Sequence, residues 1–359
     1  MEIKKIAIIG LGLIGGSLAK SLKHSVSGIQ IAAFDNFEVL NKAISENAID
    51  VRLSSVRDAL DYNLIFLALP INESLKVFKE LAPALKEDQI ISDLCSVKGI
   101  FADAWQNISS RGLYIGAHPM AGKEKAGYQN ADNLLFENSI FIISDSCKQY
   151  KLLDEYVEIM KSIGVRITFV NPYLHDKIIS KVSHLPQLLS VLLVNQATNN
   201  EDGINYLDFG AGGFRDMTRI ASSDYDIWES IIASNKNEII NSLSSFRNDI
   251  DKIISLIQND LSKEISIEFN KARTAREEIP FNNKGFLSPL SDISIFLKDE
   301  PGIIAKLSKI LFDNNINIKD LELLKIREGS GGNFKLYFET EDDAKNAKVL
   351  LMEAGFKSI

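Results

Sequence analysis

Ile6-Ala7-Ile8-Ile9-Gly10-Leu11-Gly12-Leu13-Ile14-Gly15 stands at the head of the chain and decides the fold of everything up to about residue 170. Four apolar residues, three of them β-branched, read as a fully buried strand. Three glycines at the spacing G-x-G-x-x-G follow it, and the next residues carry a helical pattern. Glycine allows the tight turn between strand and helix, and it lets backbone N–H groups approach a pyrophosphate held at the positive end of that helix. Gly10, Gly12 and Gly15, with the backbone of Leu13 and Ile14, are therefore the expected cofactor-binding loop. Asp35 ends the second strand-like run, where a carboxylate accepts from the ribose hydroxyls and repels a 2′-phosphate. Neither Phe34 nor Asn36 is a cation. The expected cofactor is NAD rather than NADP.

Working outward, Ile29–Phe34, Leu64–Leu69, Gln89–Ser92, Tyr114–Ala117, Ile140–Ile143 and Arg166–Val170 repeat the short apolar pattern, separated by amphipathic segments. That alternation predicts an α/β class with a Rossmann-type, doubly wound, mostly parallel sheet over residues 1–170. Asn171-Pro172 closes it, because proline restricts its predecessor. From Tyr173 the apolar period becomes helical, through Leu188–Val194 and from Trp228 to Leu261, and no strand pattern intervenes. Leu188–Val194 is too short to span a bilayer and reads as a buried helix. Apolar side chains on more than one face predict an all-helical domain over 171–279 that also builds a homodimer interface. Residues 280–291, rich in Pro, Gly and Asn, read as a linker. A βαββαβ order in the ferredoxin-like manner follows over 292–359, with Asp299-Glu300-Pro301-Gly302 at its first strand-to-helix turn.

Composition narrows the function. Of 359 residues, 45% are hydrophobic and 25% charged, as in soluble globular proteins. A net charge of −8 argues against nucleic-acid or anionic-membrane partners, so an anionic substrate must meet a few local cations. Two cysteines, Cys95 and Cys147, make no disulfide framework, and the N-terminus has no export signal pattern; the expected location is cytoplasmic. No metal site is expected.

Four further runs carry chemistry. His118-Pro119-Met120-Ala121-Gly122 follows a strand, which puts His118 at the carboxyl edge where ligands bind in this architecture. Its imidazole, with an ordinary pKa near 6.5, can take a proton from an alcohol at neutral pH. Asp93-Leu94-Cys95-Ser96-Val97-Lys98-Gly99 follows another strand end, where Ser96 is equally suited to capping the next helix and Lys98 to a salt bridge. In Ser183-His184-Leu185-Pro186, Pro186 cannot donate to the carbonyl of Val182, so a kink there leaves His184 beside a pocket. Gly212-Gly213-Phe214-Arg215-Asp216-Met217-Thr218-Arg219 ends on a guanidinium that can hold a carboxylate through two parallel hydrogen bonds. His24 is expected at the surface.

Together these runs resemble the prephenate/arogenate dehydrogenases of tyrosine biosynthesis, and Ala272-Arg273-Thr274-Ala275-Arg276 and an ACT-like tail extend the resemblance over essentially the whole chain. The resemblance implies oxidative decarboxylation of prephenate to 4-hydroxyphenylpyruvate. His118 is then the base on the ring 4-hydroxyl, Ser96 its companion on that hydroxyl, and Arg219 the cation for a substrate carboxylate, supported by Arg215 and Asp216. His184, Gln187 and Lys98 join Arg219 as substrate-binding residues. Neutral Gln187 favours prephenate, since an acid would suit the ammonium of arogenate. The ACT-like tail implies an amino-acid effector, with tyrosine as end product the natural candidate. Lys123 departs from the family's usual small hydroxyl residue. The competing readings are an arogenate dehydrogenase, a β-hydroxyacid-type dehydrogenase, which would rely on a helical-domain lysine, and an inactive ACT-bearing sensor.

Overall fold

Apolar runs that cannot satisfy their backbone groups in a core except by pairing become the strands of one sheet. The computed structural model describes residues 3–123, 125–148, 150–198, 200–278, 290–327 and 331–358. In chain order the first region comprises β1 (Lys5–Ile9), α1 (Leu13–Ser25), β2 (Gln30–Phe34), α2 (Phe37–Ser45), β3 (Val51–Arg52), β4 (Leu64–Leu67), α3 (Ile71–Leu81), β5 (Ile90–Asp93), α4 (Gly99–Gln106), β6 (Leu113–Pro119), β7 (Ile140–Ser144), α5 (Leu152–Ser162) and β8 (Arg166–Val170). The strands lie in the order β3-β2-β1-β4-β5-β6-β7-β8. Only the β6–β7 pair is antiparallel. The order reverses at β1, where the chain leaves the paired strands β1 and β4 towards opposite faces, and this opens the crevice in which such sheets bind ligands. Apolar clusters fill both faces, one around Ile6, Ile8, Phe66 and Tyr156, the other around Ile9, Phe78, Phe101 and Tyr114. Two-residue β3 has too short a pattern to be read from sequence.

The helical region follows: α6 (Pro172–Ile179), a π-helical turn at Ser180–His184, α7 (Leu185–Gln196), β9 (Asn200–Glu201), β10 (Ile204–Asn205), α8 (Gly212–Thr218), α9 (Tyr225–Ser234), α10 (Lys236–Gln258) and α11 (Ser262–Glu278). Two expectations are corrected here. A short antiparallel hairpin, β9 with β10, interrupts the helices; its turn uses Asp202 at φ +53° and Gly203 at φ +78°, a local signal weaker than any strand period. Leu188–Val194 is only partly buried: Ser190 is covered but Leu192 is 53% exposed, because the apolar faces of α6 and α7 exceed what this chain covers. By length and composition alone Pro172–Gln196 could cross a membrane, but its buried residues include His175, Asp176 and His184.

The chain divides into two compact units, one running to Phe269 and one from Asn270. The nucleotide and helical regions thus pack as one body, so residue 170 marks a change of pattern rather than a gap in packing. Within the second unit, β11 (Ser291–Leu297), α12 (Ile303–Asp313), β12 (Asp320–Arg327), β13 (Gly331–Phe338), α13 (Glu341–Glu353) and β14 (Lys357–Ser358) form the βαββαβ order, with an antiparallel sheet β12-β13-β11-β14. Ile295, Leu307, Leu336, Phe338 and Leu351 give it its own core. Most of the expected linker lies outside the described residues.

Candidate active site

The glycine loop is shaped by what a Cβ would meet. Gly10 has φ +96°, and a Cβ there would stand 2.8 Å from the Ala68 carbonyl oxygen; at Gly15 it would stand 1.9 Å from that of Gly10. At Gly12 a Cβ would meet nothing within 4 Å, which leaves the open side of the loop to an incoming phosphate. Gly12 immediately precedes α1, whose first turn carries no acidic residue, so the backbone N–H groups of Leu13 and Ile14 sit at its positive end. Asp35 accepts from Leu11 N–H at 2.6 Å and from Asn36 N–H at 2.6 Å. Each oxygen keeps capacity for a ribose hydroxyl. These residues fit NAD: the loop would hold the pyrophosphate and Asp35 the adenosine ribose.

Across the crevice the strand ends of β5 and β6 meet the head of α6. Asp93 and Lys98 form a fully buried ion pair; Tyr114 donates to Asp93 at 2.7 Å, and Lys98 Nζ donates to the Ala117 carbonyl at 2.7 Å. Burial pushes the Asp93 carboxyl up, while the Lys98 ammonium and Tyr114 hydroxyl act against it. Lys98 takes the salt bridge its sequence position equally allowed and acts as a brace: at 1% exposure its ammonium props the strand residue preceding His118. Ser96 lies partly buried in the loop between β5 and α4 but does not cap α4. That cap comes from α6, whose Asp176 accepts from Lys98 N–H at 2.7 Å and Gly99 N–H at 2.8 Å. A Cβ at Gly99 would come within 2.8 Å of Asp176 Oδ2, so this contact requires glycine.

His118, partly buried at the end of β6, has its Nδ1 2.9 Å from His175 Nε2, and His175 Nδ1 is 2.7 Å from Asp176 Oδ1. Burial, with the neighbouring His175, Lys98 and His184, holds the His118 imidazole well below its usual value. His175 is lowered too, by burial, against the pull of Asp176. Both rings are thus neutral at ordinary pH.

His184 is fully buried at the end of the π-helical turn just ahead of Pro186, where Leu185 N–H reaches back to the Ser180 carbonyl. The break in the α-helical ladder thus falls where proline predicts it. Its Nδ1 lies 3.3 Å from Asn235 Nδ2, Trp228 stands edge-on at 5.8 Å between ring centres, and Nε2 has no partner among the described residues. Burial lowers His184 to about 4, which leaves a neutral ring with one unused nitrogen. Gln187 is buried, and its amide donates to the Ile220 carbonyl at 2.8 Å, which anchors the segment carrying Arg219. Arg219 is exposed at the start of the short helical turn Arg219–Ser222. Arg215 donates to the Gly210 carbonyl at 3.2 Å, bracing the glycine-rich turn.

Lys123 pairs with Asp132 at 2.9 Å on the surface, and His24 is exposed as expected. His175, Asp176 and Asn235 were missed as site residues. One signal pointed to them: Asp176 is the single acid between Pro172 and Gln196, beside a histidine. In the second unit a cleft of about 280 Å³ opens beside the Asp299–Gly302 turn, walled by Ile303, Ile304, Leu323 and Phe334.

Family comparisons agree with this geometry. The family model described as "Prephenate dehydrogenase, nucleotide-binding domain" matches residues 16–169, "Prephenate dehydrogenase, dimerization domain" matches 171–270, and "ACT domain" matches 291–350. The chain is 32% identical to the prephenate dehydrogenase of Lactococcus lactis over 98% of each chain. It is 30% identical to that of Bacillus subtilis over 96% of this chain and 94% of the relative. Among solved structures, prephenate dehydrogenase from A. aeolicus in complex with hydroxyphenyl propionate and NAD+ is 28% identical with a TM-score of 0.71, covering 78% of this chain and 99% of that one. With its glycine loop, its histidine at the end of β6 and full-length relatives at this identity, the chain belongs to the prephenate dehydrogenase family.

Proposed function

We propose that this protein catalyses the NAD-dependent oxidative decarboxylation of prephenate to 4-hydroxyphenylpyruvate. The observation that carries the reading is His118, a neutral imidazole at the sheet edge with one nitrogen engaged by His175 and the other left for substrate. His118 takes the proton of the 4-hydroxyl, with Ser96 hydrogen-bonding the same oxygen. NAD, when bound, supplies the hydride acceptor. Oxidation of that carbon to a carbonyl lets the ring carboxylate leave as CO2, its bonding electrons completing the aromatic ring and returning the carbonyl oxygen to a hydroxyl. Arg219 holds a substrate carboxylate, and His184 Nε2 offers a polar contact within the pocket. The protein's share of the catalysis is alignment and the base.

NADH formation with prephenate, measured beside arogenate, tests the reading. His118→Asn should lower kcat by roughly 10²–10⁴ while NAD affinity holds. A near-normal kcat would remove His118 from the mechanism.

The chain works as a homodimer through its helical region, in the cytoplasm, a setting supported by its two buried free thiols. Dimer assembly is tested below; cell fractionation tests the location. Tyrosine is the effector of the ACT domain, held in the cleft at Asp299–Gly302, and binding there disfavours the competent enzyme. A chain ending at residue 287 retains the whole first unit and should lose tyrosine inhibition without losing turnover. Equal inhibition of both forms would place tyrosine at the active site, as a product analogue.

A further inference from the structure

The hydrogen bonds behind His118 fix more than its position. Asp176 receives Lys98 N–H and His175 Nδ1 on Oδ1, and Gly99 N–H on Oδ2. It sits at the N-terminal end of α4, where a carboxylate is favoured. A carboxylate only accepts, so His175 carries its proton on Nδ1. A neutral imidazole with Nδ1–H has a bare Nε2, and His175 Nε2 lies 2.9 Å from His118 Nδ1. His118 must then hold its own proton on Nδ1, leaving its Nε2 as a lone pair. One acid, through two rings, selects the basic nitrogen.

We infer that Asp176 and His175 are positioning residues that lock His118 in the Nδ1–H tautomer, so that Nε2 is the nitrogen that receives the substrate proton. The inference rests on His118 being the base. When Nε2 takes the hydroxyl proton, the imidazolium donates from Nδ1 to His175 Nε2, and His175 in turn donates from Nδ1 to Asp176. No bond in the chain needs to reorient as charge appears. The other charged and titratable groups facing it are Asp93 and Lys98 from the β5–α4 side, Tyr114 from β6 and His184 from the helical side. Asn235 closes the network from behind, its amide donating to the Asp176 carbonyl at 2.9 Å.

The direct test is long-range ¹H–¹⁵N correlation NMR on full-length, histidine-labelled protein, with the His118 signal assigned through His118→Asn. The expected result is a proton on Nδ1; a proton on Nε2 overturns the inference whatever the activity. Kinetics gives a second arm. In Asp176→Asn the amide group can donate to His175 Nδ1, which moves the His175 proton to Nε2 and forces the His118 lone pair inward. Then kcat should fall roughly 10²–10⁴-fold while KM and NAD affinity stay within about threefold. Because Asp176 also caps α4, His175→Asn is the control: the cap stays, the tautomer is no longer chosen, and kcat should fall on the order of tenfold with an unchanged melting midpoint. Wild-type kcat in both variants overturns the inference while leaving His118 as base, a role that His118→Asn tests separately.

Discussion

The nucleotide region and the helical region solve burial in opposite ways. From β1 to β8 the interior is mostly apolar, with Ile6, Ile8, Ile9, Phe66 and Phe78 at zero exposure around a buried ion pair, Asp93–Lys98. In the helices the buried side chains include His175, Asp176, Ser180, His184, Gln187, Ser190, Asn235 and Ser242, while Val182 is 61% and Ile257 59% exposed. A sheet covered on both faces completes its core within one chain. The helices instead turn a polar network inward, towards the chemistry, and leave an apolar exterior that the proposed dimer would cover.

The largest effect should come from breaking the exterior. Val182→Glu together with Leu192→Glu places two charges on exposed apolar positions of the π-helical turn and α7, and should weaken the dimer by more than about 10³-fold, read by sedimentation. Phe37→Glu, at an exposed apolar position of the nucleotide region, should leave assembly unchanged. A dimer that survives the double change would locate the interface elsewhere.

The polar interior should be the acid-sensitive half. An imidazole held at about 4 in the folded protein and near 6.5 when unfolded takes up its proton on unfolding, so its stability contribution is present above about pH 6.5 and is lost as pH falls towards 4. For His184 this amounts to about 3 kcal/mol, or roughly 150-fold in the folding equilibrium. Urea titrations at pH 7 and pH 5 should show a smaller difference in His184→Gln than in the wild type. Equal differences would mean that His184 does not report on this interior.

Arg219, at the exposed end of that half, should show a smaller and purely binding effect. A charge-assisted hydrogen bond is worth about 1.5–3 kcal/mol, so Arg219→Gln should raise KM for prephenate roughly 10- to 150-fold. An unchanged KM would leave Arg219 a structural role.

The two regions also differed in how far they could be read. Strands such as Ile6–Ile9 and Leu64–Leu67 announce themselves by continuous apolar residues, and Asp35 by its distance from Gly15, because both signals are local. Lys98, Gln187, His175 and Asp176 act through partners distant in sequence: Asp176 caps Gly99 across 77 positions, and His118 meets His175 across 57. Periodicity is blind to such pairs. It likewise records that the residues of α7 are apolar, not that one chain is too small to cover them.

Gly99 and Asp176 give the molecule a mechanical property. The two hydrogen bonds from the start of α4 to this carboxylate, closed up by the missing Cβ, stitch the sheet side of the crevice to the helical side behind His118. Prying them apart would strand two backbone N–H groups and a buried carboxylate. Were the crevice to open for nucleotide exchange, keeping these bonds would make the stitch its pivot. A lever moves least at its fulcrum, so a base beside this pivot keeps its aim.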